Sequence, residues 1–206
     1  MNFKISFAVT ACDEHEELEK LLFFLQSHKR DCDEIVVQVD KNKHTKKVSK
    51  VIDKFNLFKN EFELNNDFAT FKNNLKSLCS GDYIFQIDAD EIPSLETVKN
   101  LHKIIESNLD IDLFLIPRVN LVSDIEHKHI EKWKWNMNAN GWINWPDYQY
   151  RIFKNNFNIK WENKVHEKIV GANTGSQLPA TPEYALVHEK SIKKQIKQNK
   201  LYEKIQ

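Results

Sequence analysis

Two rhythms of apolar residues alternate along the first 117 positions. Ile5–Val9 is a short apolar run rich in β-formers, which predicts a buried strand. Within Glu16–Ser27, Leu18, Leu21, Leu22 and Leu25 recur at helical spacing. Glu34–Asp40 repeats the strand pattern and Lys46–Phe55 the helical one. Glu61–Leu64 reads as a third short strand, Phe68–Cys79 as a third helix closed by Ser80-Gly81 as its C-cap. Tyr83–Ile87 is a fourth strand. Ser94 caps a fourth helix with Glu96 and Thr97 in its first turns, and Leu113–Pro117 is a fifth strand. Strands alternating with helices predict an α/β fold with a mostly parallel central sheet flanked by helices.

Beyond residue 117 the period weakens. Trp133, Trp135, Trp142, Trp145 and Trp161 lie in one stretch, with Tyr148 and Tyr150 among them. The expectation there is irregular structure with short antiparallel strands built on the same core. The tail Ser191–Gln206 reads as a polar helix with a thin stripe of Ile192, Ile196 and Leu201. The 206 residues suit one domain, 1–117 forming a ligand-binding half and 118–206 a second half ending in the helix.

Composition narrows the function classes. Lys plus Arg and Asp plus Glu each number 30, so no basic excess marks a nucleic-acid binder. The Lys-rich stretch Lys41–Lys50 reads as a solvated loop and helix face. Cys12, Cys32 and Cys79 are widely spaced and odd in number, with no zinc pattern, which fits reduced thiols and a cytoplasmic location. The start, Met1-Asn2-Phe3-Lys4-Ile5, has no long apolar segment of a secretory signal, and no apolar run reaches the ~20 residues of a membrane helix. The Lys-rich tail allows peripheral membrane contact at most.

Candidate chemistry concentrates where strands end in acids. Ligands of open α/β sheets bind beyond the carboxyl ends of the strands, and both Asp40 and Asp88 stand there. Asp88-Ala89-Asp90-Glu91 puts three carboxylates together, an arrangement a cation relieves. Asp88 and Asp90 are the candidate metal ligands for Mg²⁺ or Mn²⁺, with Ala89 too small to obstruct and a diphosphate supplying further oxygens. A bare D-x-D spacing is common by chance, so context has to carry the reading.

That context is Phe68-Ala69-Thr70-Phe71-Lys72-Asn73-Asn74, followed by Ser80-Gly81-Asp82 and the strand into Asp88-Ala89-Asp90-Glu91. It resembles the core signature of family 2 glycosyltransferases with the GT-A (Rossmann-like) fold. In that family an Arg-Asn pair and Ala-x-Gly-Asp precede Asp-x-Asp-Glu. Here Lys72-Asn73 replaces Arg-Asn, giving a point charge where Arg makes a bidentate phosphate contact. Tyr150-Arg151-Ile152-Phe153-Lys154 and Val165-His166-Glu167 resemble the R-[IL]-F…V-H-E pattern of the lipopolysaccharide-core branch. The resemblance covers residues 5 to about 190.

The resemblance implies a metal-dependent, inverting transfer of a sugar from a nucleoside-diphosphate sugar, UDP-sugar favoured, to a glycan, lipid-linked or protein acceptor in polysaccharide biosynthesis. It places Thr10, Cys12 and Glu14 in the base-binding loop and Asp40 at the uridine or its ribose. Lys72, Asn73, Asp88, Ala89, Arg151 and His166 fall around the diphosphate. Glu167 matches the family's general base, with Asp147 and Glu91 as alternatives. His188 matches a late histidine that binds metal or diphosphate, and imidazole suits Mn²⁺. His166 either orients Glu167, contacts diphosphate or is structural. Trp142 or Trp145 either stacks on acceptor sugar or packs a second layer. Two other readings stand beside this one: a catalytically degenerate sugar-nucleotide-binding protein, and a nucleotidyltransferase. The second normally carries a Gly-rich phosphate loop near its start, and only four glycines are present, none there.

Overall fold

In the computed structural model, which describes residues 3–205, the chain begins β1 (Ile5–Ala11), α1 (His15–His28), β2 (Glu34–Asp40), α2 (Lys46–Lys54), β3 (Lys59–Phe62), α3 (Phe68–Leu78) and β4 (Tyr83–Asp88). It continues β5 (Glu91–Pro93), α4 (Leu95–Glu106), β6 (Leu113–Ile116), β7 (Arg118–Ser123), α5 (His127–Trp133) and β8 (Gln149–Lys154). It closes with β9 (Lys160–Glu162), β10 (Lys168–Val170), β11 (Gly175–Gln177), β12 (Leu186–Ser191) and α6 (Ile192–Ile205).

Seven strands form the central sheet in the order β11-β6-β8-β4-β1-β2-β3. The run β4-β1-β2-β3 is parallel, as the strand–helix alternation requires. Leu18, Leu21, Leu22 and Leu25 of α1 are fully buried in the main core, which is why that face is all leucine. Side-chain caps start α2, α3, α4 and α6: Thr45 accepts from the Val48 amide, Asp67 from Thr70, Ser94 from Thr97 and Ser191 from Lys194.

Strand β8 runs antiparallel between β4 and β6. Its first residues therefore lie at the edge where β1 and β4 end, and Arg151 arrives beside Asp88. A second sheet, β5-β12-β7, stands next to that edge; in it His188 pairs with Glu91 on one side and with Asn120 on the other. From the end of β12, α6 reaches to α1 through Lys194–Glu17 (2.7 Å) and to the start of α3 through the Tyr202 and Phe68 rings (centroids 6.1 Å apart). Among the described residues no helix is long and apolar enough to cross a membrane.

Three sequence expectations shift. The third strand lies at Lys59–Phe62 rather than Glu61–Leu64, because its register against Val37–Asp40 sets its limits. The second half is not simply antiparallel: β11 pairs parallel with β6 and β12 parallel with β7, and β8 and β11 complete the central sheet, so the two halves share it. Gly81 is not a left-handed helix cap. Residue Cys79 ends α3 in an extended conformation, and a Cβ on Gly81 would lie 2.7 Å from the Ser6 amide nitrogen. The glycine is there because two backbones approach closely.

Candidate active site

The acidic segment is built at the end of β4. Ala89 is buried, and its amide bonds the Thr10 carbonyl (2.9 Å), which fixes the turn between the acids on either side. Asp88 accepts from Thr10 Oγ1 through Oδ1 (2.8 Å) and from Arg151 Nη2 through Oδ2 (2.8 Å). The same Arg151 nitrogen donates to Glu91 Oε1 (2.7 Å), which also accepts from Arg118 Nη1 (2.9 Å). Arg118 then grips Asp147 Oδ2 with Nε and Nη2 (2.9 and 2.8 Å). Carboxylates and guanidiniums thus alternate along one chain that is buried at Arg151 and Glu91 and partly exposed at its ends, each charge facing its opposite.

Burial alone pushes the Asp88 carboxyl up, but the Arg151 and Lys72 charges outweigh it and hold the group well below the usual carboxylate range. Asp90 follows the same pattern: burial raises it, and its contact with His188 outweighs the burial and brings it below its ordinary value. For Arg151, burial works against the charge and Asp88 and Glu91 more than restore it.

Asp90 and His188 form the second part. His188 Nε2 lies 3.3 Å from Asp90 Oδ2, and its Nδ1 lies 3.0 Å from Asn120 Oδ1. One oxygen and one imidazole nitrogen of this kind fit a divalent ion of the Mg²⁺ or Mn²⁺ type, with water and diphosphate oxygens completing it. Asp88 accepts one hydrogen bond at each oxygen, from Thr10 and from Arg151. Among the described residues no three His, Cys, Asp or Glu side chains converge as a metal cage.

Lys72 and Asn73 of α3 form the third part. Lys72 Nζ stands 2.5 Å from Glu167 Oε1, 3.8 Å from Asp88 Oδ1 and 4.7 Å from the centre of the Trp161 ring. Asn73 exchanges two hydrogen bonds with the Trp161 backbone, at 2.9 Å each, so it holds β9 rather than facing the acids. Trp161 itself is buried edge-on against Phe153.

The loop after β1 carries Cys12 and Glu14. Glu14 Oε2 accepts from the Cys12 and Asp13 amides (2.9 and 3.1 Å). Burial, helped by the Asp90 and Asp13 charges, nevertheless pushes Glu14 up to about 7. Burial and then Glu14 push the Cys12 thiol up to about 12, so it is no thiolate. Asp40 is buried and its Oδ1 accepts from the Asn42 amide (3.1 Å), so its side chain shapes the turn after β2. His166 adopts a left-handed φ of 53° and is exposed, with its ring against Tyr202 (5.3 Å) rather than on Glu167. Trp142 and Trp145 pack edge-on against each other (4.9 Å) and are half-buried.

The fold therefore gathers Thr10, Lys72, Asp88, Arg151 and Glu167 around one point, with Asp90 and His188 adjacent through the short Asp88–Glu91 turn. Asp147 is connected to them only through Arg118 and Asn120. Arg118 is one of the few arginines in a lysine-rich chain, and that rarity was its only sequence signal; Asn120 carried none.

No family model matches the sequence, and no curated protein matches it. Solved structures do share the fold. S. aureus TarS 1-349 in complex with UDP superposes with a TM-score of 0.64 at 16% identity, over 96% of this chain and 64% of that one. The same protein in complex with UDP-GlcNAc gives 0.62 at 17% identity, over 92% and 59%. The architecture is the GT-A fold. This chain spans less than two thirds of the TarS chains, and at such identity the likeness establishes the fold alone.

Proposed function

We propose that the chain is a family 2-type glycosyltransferase that moves a sugar from a nucleoside-diphosphate sugar, a UDP-sugar first, to a hydroxyl acceptor with inversion. The observation that carries the reading is the pairing of Asp90 with His188 beside an ionised Asp88, at the edge where β1 and β4 end. The UDP and UDP-GlcNAc complexes of TarS support the choice of donor.

In this reading the nucleoside lies along the Thr10–Glu14 loop and Asp40. Asp90 Oδ2 and His188 Nε2 would hold Mn²⁺ or Mg²⁺, which would supply positive charge against the departing diphosphate. Lys72 adds a point charge to the same group. Arg151 stays on Asp88 and Glu91 and keeps Asp88 ionised and oriented.

The base takes the acceptor's hydroxyl proton as that oxygen attacks the anomeric carbon and the diphosphate leaves. Glu91 is sealed between two guanidiniums with a side-chain exposure of 1%, and Asp147 Oδ2 accepts three hydrogen bonds. Glu167 remains, with Oε1 on Lys72 and no hydrogen-bond partner for Oε2 among the described residues. The tight Lys72–Glu167 pair also supports a second reading, a protein that binds the sugar nucleotide without turning it over.

Calorimetry of UDP binding with and without Mn²⁺, on wild type and Asp90→Asn, tests the site. The expected result is metal-dependent binding that the variant loses. Metal-independent binding in both overturns the metal assignment. Absence of binding by UDP, GDP, CMP and dTDP alike overturns the donor site. Slow hydrolysis of a bound UDP-sugar separates the enzyme from the binding-only reading.

A further inference from the structure

We propose that Asn120 is a positioning residue that holds His188 in one tautomer, with the bare Nε2 lone pair aimed beside Asp90. The inference rests on the proposed metal site and extends it to residues outside it. Asn120 and His188 face each other across the parallel β7–β12 ladder, so their side chains project to the same side of the sheet.

Which way the Asn120 amide points follows from its surroundings. Its Nδ2 lies 2.6 Å from Asp147 Oδ2 and 3.4 Å from the Ile143 carbonyl oxygen. Both neighbours only accept, so the atom between them is the NH₂ and the carbonyl Oδ1 is the end turned to His188. Asp147 cannot turn away to relax this choice, because Arg118 holds the same Oδ2 with two hydrogen bonds.

An amide oxygen 3.0 Å from Nδ1 requires that Nδ1 carry the hydrogen. In the neutral imidazole the second nitrogen then has a lone pair, and it faces a carboxylate oxygen at 3.3 Å. Two lone pairs face each other there unless a proton or a cation comes between. The opposite tautomer would give Asp90 a hydrogen bond and leave Asn120 Oδ1 against a bare Nδ1. Exposure decides between the two. Asn120 is buried and pinned, whereas the Asp90 side chain is 25% exposed and can turn to water. Ligating histidines are commonly oriented by such a partner on the other ring nitrogen, and losing it weakens metal affinity about 10–100-fold.

The relay Arg118–Asp147–Asn120–His188–Asp90 thus gives Asp147 a role without proton transfer to substrate. The residues facing the imidazole are Glu91 and Asn120 by strand pairing and Asp90 by its carboxylate, and only Asn120 dictates the hydrogen on Nδ1.

The test is ¹⁵N–¹H correlation of the imidazoles of the metal-free wild type at about pH 8.5, well above the ordinary histidine value. His188→Gln assigns the resonance. The expected pattern is a protonated Nδ1 and a bare Nε2; hydrogen on Nε2 overturns the proposal. In Asn120→Ala the hydrogen moves to Nε2 and Mn²⁺ affinity falls about 10–100-fold. A folded Asn120→Ala with both readouts unchanged also overturns it. If the variant does not fold, the wild-type spectrum decides alone. Neither readout uses UDP or sugar transfer, so loss of the enzymatic reading and loss of the relay are distinguishable.

Discussion

Lys72 Nζ meets Glu167 Oε1 at 2.5 Å, an ammonium and a carboxylate separated by 95 positions in sequence and both largely enclosed. The pair ties α3 to the loop between β9 and β10. It sets the base candidate beside the acidic edge and keeps one of its oxygens occupied. Glu167→Gln preserves the shape and removes the basicity. The expected result is a transfer rate lower by about 10²–10⁴-fold, with UDP affinity close to wild type, because the base acts only on the acceptor proton. Single-turnover transfer and calorimetry read the two quantities separately. A variant with wild-type rate removes Glu167 from the mechanism.

Arg151 is the charge on which both Asp88 and Glu91 depend. Arg151→Met leaves the buried Glu91 paired with Arg118 alone and Asp88 with only Lys72, at 3.8 Å. Breaking a buried pair in this way costs about 3–5 kcal/mol. Urea unfolding of the variant measures it, and the cost should shrink when Asp88→Asn is added, since the orphaned charge is then gone. Additive effects would mean that Arg151 and Asp88 do not couple.

What the sequence displays and what it hides divides along physical lines. The first four helices were legible because each buries one face, and β1 and β4 because they are almost wholly buried apolar runs, whereas β3, with no buried residue, was displaced and the three-residue β5 was not foreseen. The ends of β2 and β4 were legible because acids after an apolar run are locally conspicuous. Nothing local announces that β8 inserts antiparallel beside β4. That placement comes from tertiary packing, and it is what puts Arg151 on Asp88. Asn120 was invisible for the same reason: its partners, Asp147 and His188, lie 27 and 68 positions away. The Ser80-Gly81 pair looked like a helix cap because glycine's commonest local use is the left-handed turn, whereas here its missing side chain serves a contact with β1.

Glu34 ties that same corner together. Its carboxylate accepts from Lys4 Nζ (2.7 Å), Ser6 Oγ (2.5 Å) and the Ser80 amide (2.7 Å). Burial pushes the group up, and these donors outweigh it and bring it from 4.5 down to about 2. A carboxyl depressed by folding stabilises the native state fully above its unfolded value and loses that contribution as pH falls through the folded one. The stability gap between wild type and Glu34→Gln is therefore expected to be widest at neutral pH and to close between pH 4.5 and about 2. Thermal melts across that interval measure it, and a gap independent of pH contradicts the assignment.

Gly81 offers the sharpest steric test. A Cβ there would sit 2.7 Å from both the nitrogen and Oγ of Ser6 and 2.9 Å from the Lys4 carbonyl oxygen. Two of these three atoms are backbone, so no side chain can swing aside to make room. Ser6 Oγ is also held in place, receiving the Gly81 amide at 2.8 Å and donating to Glu34. Gly81→Ala must push β1 and the approach to β4 apart, an overpacking cost of about 1–3 kcal/mol. Gly141→Ala is the control. There φ is +77° and a Cβ meets nothing within 4 Å, so only the left-handed backbone is penalised, by about 1–2 kcal/mol. The discriminating measurement is the structure of the sheet rather than the melting temperature alone. Amide hydrogen exchange in β1 and β4 should quicken in Gly81→Ala and stay unchanged in Gly141→Ala. Equal protection in both variants would show that the β1 contact is not what requires glycine at position 81.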